Sequence, residues 1–375
     1  MTGVQPQPVD PDGLLEYSVV FTDRSLNHMS SAFQAVMRDL SATLKNVYGA
    51  HSCAIVPGGG TYAMEAVARQ FATRKRTLVL RHGWFSYRWT QIFEYGGIPA
   101  EASVLKARHT GEKDRAPFAP APIEEVEARI RSSKPEVVFA PHVETASGIL
   151  LPDDYLRRVA AAVHEIGGLF VLDCVASGAL WVDLSKTGVD VLISAPQKGW
   201  TGTPCAGLVM LGERAREAIE QTNSTSFAMD LRKWLEIMET YEAGGHAYHA
   251  TLPTDSLRRL RDVMTETEAA GFEKLRAAQI ELGRRVRKLL VERDLPSVAA
   301  AGFEAPCVVV SYTHDPDIVG RIAAADAQVA AGVPLMCDEP DDYRAFRIGL
   351  FGLDKLRDIE GTVARLEGAL DRAAS

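Results

Sequence analysis

A chain of 375 residues, 46% hydrophobic and 24% charged, has the balance of a globular protein large enough for two or three domains. A formal net charge of −8 with dispersed Lys and Arg excludes the electrostatic footprint of a nucleic-acid or anionic-membrane binder. No apolar run approaches the roughly 20 residues of a bilayer span. Residues 1–8 lack the basic start and apolar stretch of a secretion signal. Five cysteines, without CxxC or Cys/His ligand spacing, point to reduced thiols, no metal and a cytoplasmic setting.

Helical periodicity begins at residues 31–47, where Phe33, Val36, Met37, Leu40, Leu44 and Val47 recur three or four apart. Strand and helix patterns then alternate. Strands are predicted at 53–56, 77–80, 102–106, 137–141, 169–173, 191–194 and 208–211, and helices at 62–72, 85–94, 122–132 and 152–166. Short Val/Leu/Ile runs separated by helices predict an α/β fold: a large doubly wound, mostly parallel sheet covered on both faces. Residues 116–122, rich in Ala and Pro, read as a stiff surface connector. Beyond residue 211 the spacing predicts helices at 213–220, 231–242, 254–270 and 274–292, with the basic run 284–288 as a solvated face. A small α+β unit follows, with strands at 307–312 and 346–349 and helices at 318–325 and 353–373. The division is an N-terminal arm (1–30), a large domain (31–253), and a linking helix with a small C-terminal α+β domain (254–375).

Chemistry concentrates in five loops that follow strands. Gly58-Gly59-Gly60-Thr61 joins a strand to a helix, and free amides at a helix N-terminus make an anion site. The loop fits neither GxGxxG nor GxxxxGK[ST], which disfavours dinucleotide or nucleoside triphosphate binding. Gly83-Trp84-Phe85 offers aromatics for ring stacking. His142-Val143-Glu144-Thr145 brings a hydroxyl and a carboxylate into a turn. Asp173 ends one apolar strand run, and Lys198 lies just past the next. Those two are what a pyridoxal 5′-phosphate (PLP) site requires: a lysine amine to form a Schiff base with the aldehyde, and a carboxylate to keep the pyridine nitrogen protonated. Taken singly, the same residues also read as a surface lysine, a strand-end acid, a tight turn and ordinary helix packing. In an open α/β sheet all five loops converge beyond the carboxyl ends of the strands.

The ordered series GGGTYAMEA, GWFSYRW, HVETASG, LDCVAS and SAPQKGW resembles the class V aminotransferases of PLP fold type I, in particular their alanine/serine–glyoxylate branch. The segments around Tyr248–Thr254 and Phe346–Gly352 agree, so the resemblance covers about residues 45–370. It implies a ping-pong transfer of an amino group from an amino acid to a small 2-oxo acid such as glyoxylate or pyruvate. It also implies that Gly59, Gly60, Thr61 and Gln197 hold the cofactor phosphate, that Phe85 and Val175 sandwich its ring, and that Thr145 reaches its phenolic oxygen. Asp173 pairs with the ring nitrogen, and Lys198 carries the aldehyde and moves the proton. Arg347 clamps the substrate carboxylate, while Tyr248 and Thr251 reach the phosphate of a second subunit, making the active unit a homodimer.

The chain departs from the family pattern at its N-terminus, where Tyr17–Met29 replaces a Pro-Gly-Pro-like turn. There the charged Asp23, Arg24 and His28 suggest a substrate other than plain alanine and glyoxylate, or a structural arm with surface charges. The rival readings are a lyase or desulfurase of the same class, a non-catalytic protein of PLP fold, and an NAD-linked dehydrogenase. Phe85 and Gln197 stand where desulfurases normally carry histidines, and retention of Lys198, Asp173 and Arg347 together opposes a non-catalytic scaffold. The dehydrogenase reading lacks its glycine fingerprint.

Overall fold

Aliphatic runs of four to six residues build the central sheet, and their uninterrupted character follows from burial on both faces. The computed structural model describes residues 8–112 and 115–374; the signal-peptide reading of the extreme N-terminus therefore falls largely outside the described residues. In chain order the first half comprises α1 (Ser31–Tyr48), β1 (Ser52–Pro57), α2 (Gly60–Phe71), β2 (Arg76–Arg81), α3 (Trp84–Gly96), β3 (Glu101–Lys106), β4 (Arg108–His109), β5 (Phe118–Ala119), α4 (Ile123–Ser133), β6 (Val137–Pro141) and α5 (Asp153–Glu165). There follow β7 (Leu169–Asp173), α6 (Leu184–Thr187), β8 (Val191–Ser194), β9 (Ala206–Leu211), α7 (Glu213–Ile219), α8 (Leu231–Glu242), α9 (Thr254–Ala270) and α10 (Phe272–Val291). The chain closes with β10 (Val308–Tyr312), α11 (Ile318–Ala324), β11 (Ala330–Ala331), β12 (Ala345–Gly349), α12 (Leu353–Arg357) and α13 (Ile359–Ala374).

The large sheet has seven strands in the order β1-β9-β8-β7-β6-β2-β3. β3, β2, β6, β7 and β8 run parallel, while β9 is antiparallel to both β8 and β1. Two reversals leave β1 parallel to β8. The carboxyl ends of β1, β2, β6, β7 and β8 therefore share one edge, and each of the five chemistry-bearing loops leaves from it. Val138, Phe139, Phe170, Val171, Leu172, Val191, Leu192 and Ile193 are fully buried at its centre. The second sheet is small and antiparallel, β10-β12-β11. Gln279, fully buried on α10, donates to the carbonyls of Pro306 and Leu350, and the amide of Ala179 approaches its Oε1 at 3.5 Å. One amide side chain thus bonds small-sheet loops and large-sheet loop together.

Several expectations need correction. The helix predicted over 353–373 breaks at Asp358, whose backbone (φ −132°, ψ 72°) leaves the helical region and whose carboxylate accepts from Gly361 N at 2.9 Å. Apolar periodicity continues through the break, which hides it. The 116–122 connector is not a surface feature: Ala116, Phe118 and Ala121 are buried, and Phe118 pairs with His109 and exchanges backbone bonds with Val298 and Ala300. Pro120 is buried with them, and the stretch makes backbone bonds at Phe118. Within the basic run, Arg287 is not solvated either; its side chain is only 15% exposed and donates to Ala305 O. α2 starts at Gly60, two residues earlier than expected, and its first helical bond is Ala63 N to Gly59 O. The amides of Gly60, Thr61 and Tyr62 consequently have no partner within the helix.

The turn that carries Lys198 is held from below and from the side. Trp200, fully buried, packs at a tilt against Trp181 (4.6 Å between centroids) in a cluster with Tyr48 and Phe272. Beside it, a Cβ on Gly199 would collide with the carbonyl oxygen of Gly178, itself at φ +60°. Backbone meets backbone there, so neither turn can yield cheaply. Gly199→Ala should lower stability by about 1–3 kcal/mol through overpacking, read as a lower midpoint in urea unfolding. An unchanged midpoint would show that the two turns have room to part.

Candidate active site

The glycine loop is shaped by close approach. A Cβ on Gly60 would lie 2.8 Å from Val175 Cγ2, whereas one on Gly59 would meet nothing within 4 Å. β9 comes equally near: a Cβ on Gly207 would collide with Ala63. Thus the loop after β7 and strand β9 both pack directly against the start of α2.

α3 forms the next wall. Glu144, fully buried in the loop after β6, accepts from Phe85 N (3.1 Å), Ser86 N (2.8 Å), Ser86 Oγ (2.7 Å) and Ala146 N (2.9 Å). A carboxylate against the first turn satisfies orphan amides and opposes the positive end of the helix dipole. A Cβ on Gly83 would lie 2.7 Å from Glu144 Cγ, which accounts for the glycine. Fixed in this way, the Phe85 ring has Lys198 Nζ 5.9 Å, Arg347 Cζ 5.6 Å and Arg88 Cζ 5.2 Å from its centroid. Lys198 Nζ also lies 5.4 Å from the centroid of Phe351, a residue that sequence reasoning gave no role.

Asp173 ends β7 and is 8% exposed. Its Oδ1 accepts from Val175 N at 2.9 Å. Burial pushes its pKa up to about 6 against that hydrogen bond, and the charge of Glu144 raises it further. Burial lowers the pKa of Lys198, while Asp173 pulls it back up and Arg347 pushes it down. Burial thus disfavours the charged form of both acid and amine. Arg347, on β12, donates through Nε to Ala331 O at 2.9 Å, and neither terminal nitrogen has a hydrogen-bond partner among the described residues. His82 and His142 are buried nearby with pKa values pushed down to about 3 by burial, so both are neutral.

Thr145 is half-buried in the turn that Gly148 N closes onto Glu144 O. Gln197 is exposed beside Lys198. Tyr248 and Thr251 lie together on the surface, hydroxyl to hydroxyl at 3.1 Å. Among the described residues no hydrogen bond or ring contact joins these two to Lys198, Phe85 or Thr61 of the same chain. His28 is buried against Phe21 and Tyr248 (5.5 Å each) and His246 (6.0 Å), whereas Asp23 and Arg24 are exposed. Besides Phe351, the residues sequence reasoning passed over are Glu144, noted only as a carboxylate in a turn, and Arg88, noted only as part of a motif.

The chain is 30% identical over 363 residues to 2-aminoethylphosphonate–pyruvate transaminase of Paraburkholderia phymatum, covering 93% of this chain and 90% of that protein. The chain belongs to the class V aminotransferases. No protein-family model matches it. Another relative, 2-aminoethylphosphonate–pyruvate transaminase 1 of Burkholderia lata, is 28% identical over 363 residues, with 93% of each chain covered. The PLP fold type I is shared with alanine–glyoxylate aminotransferase of Nostoc sp. (TM-score 0.78, 21% identity, 94% of this chain and 89% of that one). It is shared also with the subgroup IV aspartate aminotransferase of Thermus thermophilus (TM-score 0.75, 23% identity, 92% of each chain). This class V enzyme is thus a PLP-dependent transaminase, and its residues suit that group. Asp173 is a buried carboxylate with one hydrogen bond, Lys198 is a desolvated amine near the Phe85 ring, and Val175 packs at the glycine loop where α2 begins. No helix among the described residues is long and apolar enough to cross a membrane.

Asp173 makes the electrostatics of the aminotransferase testable. Its folded pKa near 6 exceeds the ordinary 3.8, so its contribution to stability is complete below about pH 4 and is lost as pH rises through 6. Asp173→Asn removes that dependence. Each tenfold difference in proton affinity between folded and unfolded chain corresponds to about 1.4 kcal/mol. The variant's stability relative to the parent, both cofactor-free, should therefore improve by roughly 3 kcal/mol between about pH 4 and pH 7.5 in denaturant unfolding. A constant difference across that range would mean that Asp173 is solvated.

Proposed function

We propose that this aminotransferase takes the amino group of a short donor with an anionic tail, 2-aminoethylphosphonate or a small amino acid, and passes it to pyruvate or glyoxylate in a ping-pong cycle. One observation carries the reading: Lys198 Nζ and Arg347 Cζ lie within 6 Å of the same Phe85 ring, so amine chemistry and anion recognition share one cleft. The relatives that act on 2-aminoethylphosphonate and pyruvate supply the substrate class.

In this reading Gly59, Gly60, Thr61 and Gln197 hold the cofactor phosphate, Phe85 and Val175 face its ring, and Thr145 reaches its phenolic oxygen. Bound PLP supplies an aldehyde that carries the amino group and a ring that takes up electron density from the broken bond. Asp173, ionised, holds the proton on the ring nitrogen. Lys198 Nζ takes a proton from the donor carbon and returns one to the acceptor carbon; burial lowers its pKa and so eases loss of its own proton. Phe85 and Phe351 shield it from water. Arg347 grips the anionic tail of the donor and then the acceptor's carboxylate, its fork pre-aimed by the Nε bond to Ala331 O. In this reading the cleft falls between a large domain (31–253) and the linking helix with the small domain (254–375), the N-terminal arm (1–30) being a separate segment.

A panel of amino donors offered with pyruvate, scored by alanine formation, tests the substrate class. Arg347→Lys keeps the charge and loses the paired geometry, so KM for the preferred donor should rise roughly ten- to hundredfold, as expected for losing one charged hydrogen bond. An unchanged KM would place anion recognition elsewhere.

We propose further that the active unit is a homodimer in which Tyr248 and Thr251 complete the phosphate site of a second copy. Leu14, Leu15, Tyr17 and Val19 of the arm expose more than four-fifths of their surfaces, an apolar stretch that a partner would cover. Mixing inactive Lys198→Ala with impaired Thr251→Ala subunits under conditions of exchange should restore about a quarter to a half of the activity per parental site, because one hybrid site carries neither lesion. No recovery would mean that each chain builds its own site.

A further inference from the structure

Arg88 sits one turn after Phe85 on α3, so the two side chains share a face. Its Nη1 donates to Thr61 Oγ1 at 2.9 Å, and its Cζ lies over the Phe85 ring. Among the described residues it makes no ion pair: Glu65, the nearest acid on α2, is taken by Arg69 at 2.7 Å. A half-buried guanidinium with no carboxylate in salt-bridge contact, though its charge is felt by the buried Asp173, therefore stands beside the first turn of α2, where Gly60, Thr61 and Tyr62 present free amides and the helix dipole is positive. Two positive ends facing each other repel. An anion between them would relieve that repulsion, a doubly charged one most.

We propose that Arg88 is a phosphate-binding residue that uses the donors it does not give to Thr61 to hold the cofactor's phosphate against the amides of α2. The inference rests on the reading that the glycine loop receives that phosphate. It extends that reading by adding a full positive charge to a cradle otherwise built of amides, hydroxyls and Gln197, and by making Thr61 the bridge between helix and guanidinium. Of the three cations around Phe85, Lys198 and Arg347 are then left for the reacting groups, while Arg88 serves the cofactor's anchor.

The test compares PLP with pyridoxal, which has the same ring and aldehyde but no phosphate. Cofactor is removed from the enzyme and each compound is titrated back, followed by visible absorbance, in the parent, Arg88→Ala, Arg88→Lys and Thr61→Ala. Affinity for PLP should fall roughly ten- to hundredfold in Arg88→Ala, with partial recovery in Arg88→Lys, while affinity for pyridoxal stays within about twofold. Inorganic phosphate, which competes with PLP in the parent, should compete less in Arg88→Ala. Equal losses for PLP and pyridoxal would overturn the proposal, since the arginine would then serve the ring or the fold. Unchanged PLP affinity would overturn it as well. If Thr61→Ala also leaves the PLP-to-pyridoxal preference unchanged, the glycine-loop reading fails; if Thr61→Ala alone reduces it, that reading stands and only Arg88 is excluded.

Discussion

The cleft is organised by one buried carboxylate. Glu144 leaves the end of β6 and spends both oxygens on the first turn of α3 and on its own loop, so two neighbouring loops of the sheet edge become one rigid body. A fully buried carboxylate is costly unless its lone pairs are filled, and here four donors fill them. The position of the Phe85 ring follows from this cap, and with it the common reference to which Lys198, Arg88 and Arg347 are set. The same charge reaches further, raising Asp173 and opposing the downward shift of Lys198. A residue that touches no reacting atom thereby orders the wall and tunes the electrostatics.

Desolvation then divides the labour between the remaining groups. Asp173 and Lys198 stand at adjacent strand ends of β7 and β8, where the parallel ladder brings Asp173 level with Ile193. Burial acts on them in opposite directions, pushing the acid up and the amine down. Opposed shifts at a strand edge suit a site in which one group anchors a cationic ring and the other shuttles protons. The seven-stranded sheet exists in part to hold these two separate surroundings side by side.

Much of this was legible in the sequence because parallel sheets advertise themselves. Continuous runs such as Val137–Pro141 and Leu169–Asp173 have no polar face, which fixes their place at the centre, and the loops after them must then share one edge. Lys198, Asp173 and the glycine loop could be placed at that edge from the strand pattern, while their roles came from the family resemblance. The break at Asp358 was hidden because apolar spacing runs on across it. Burial of Phe118 was hidden because it depends on Val298 and Ala300, about 180 residues away in the chain. Arg88 was hidden for the same kind of reason: an arginine on an amphipathic helix reads as solvated until Thr61, 27 residues earlier, is found at its tip. Local periodicity reports elements; a side chain's partner across elements is written in no local pattern.

All five thiols are buried, and burial raises each of them far enough that the reactive thiolate is scarce at neutral pH. Cys53, Cys174 and Cys205 belong to the large sheet and its loops, while Cys307 and Cys337 belong to the small-domain side. An alkylating reagent therefore waits on the protein rather than on the chemistry. The order in which the thiols are consumed dates the opening of each half of the molecule, giving the chain a built-in clock for its own unfolding.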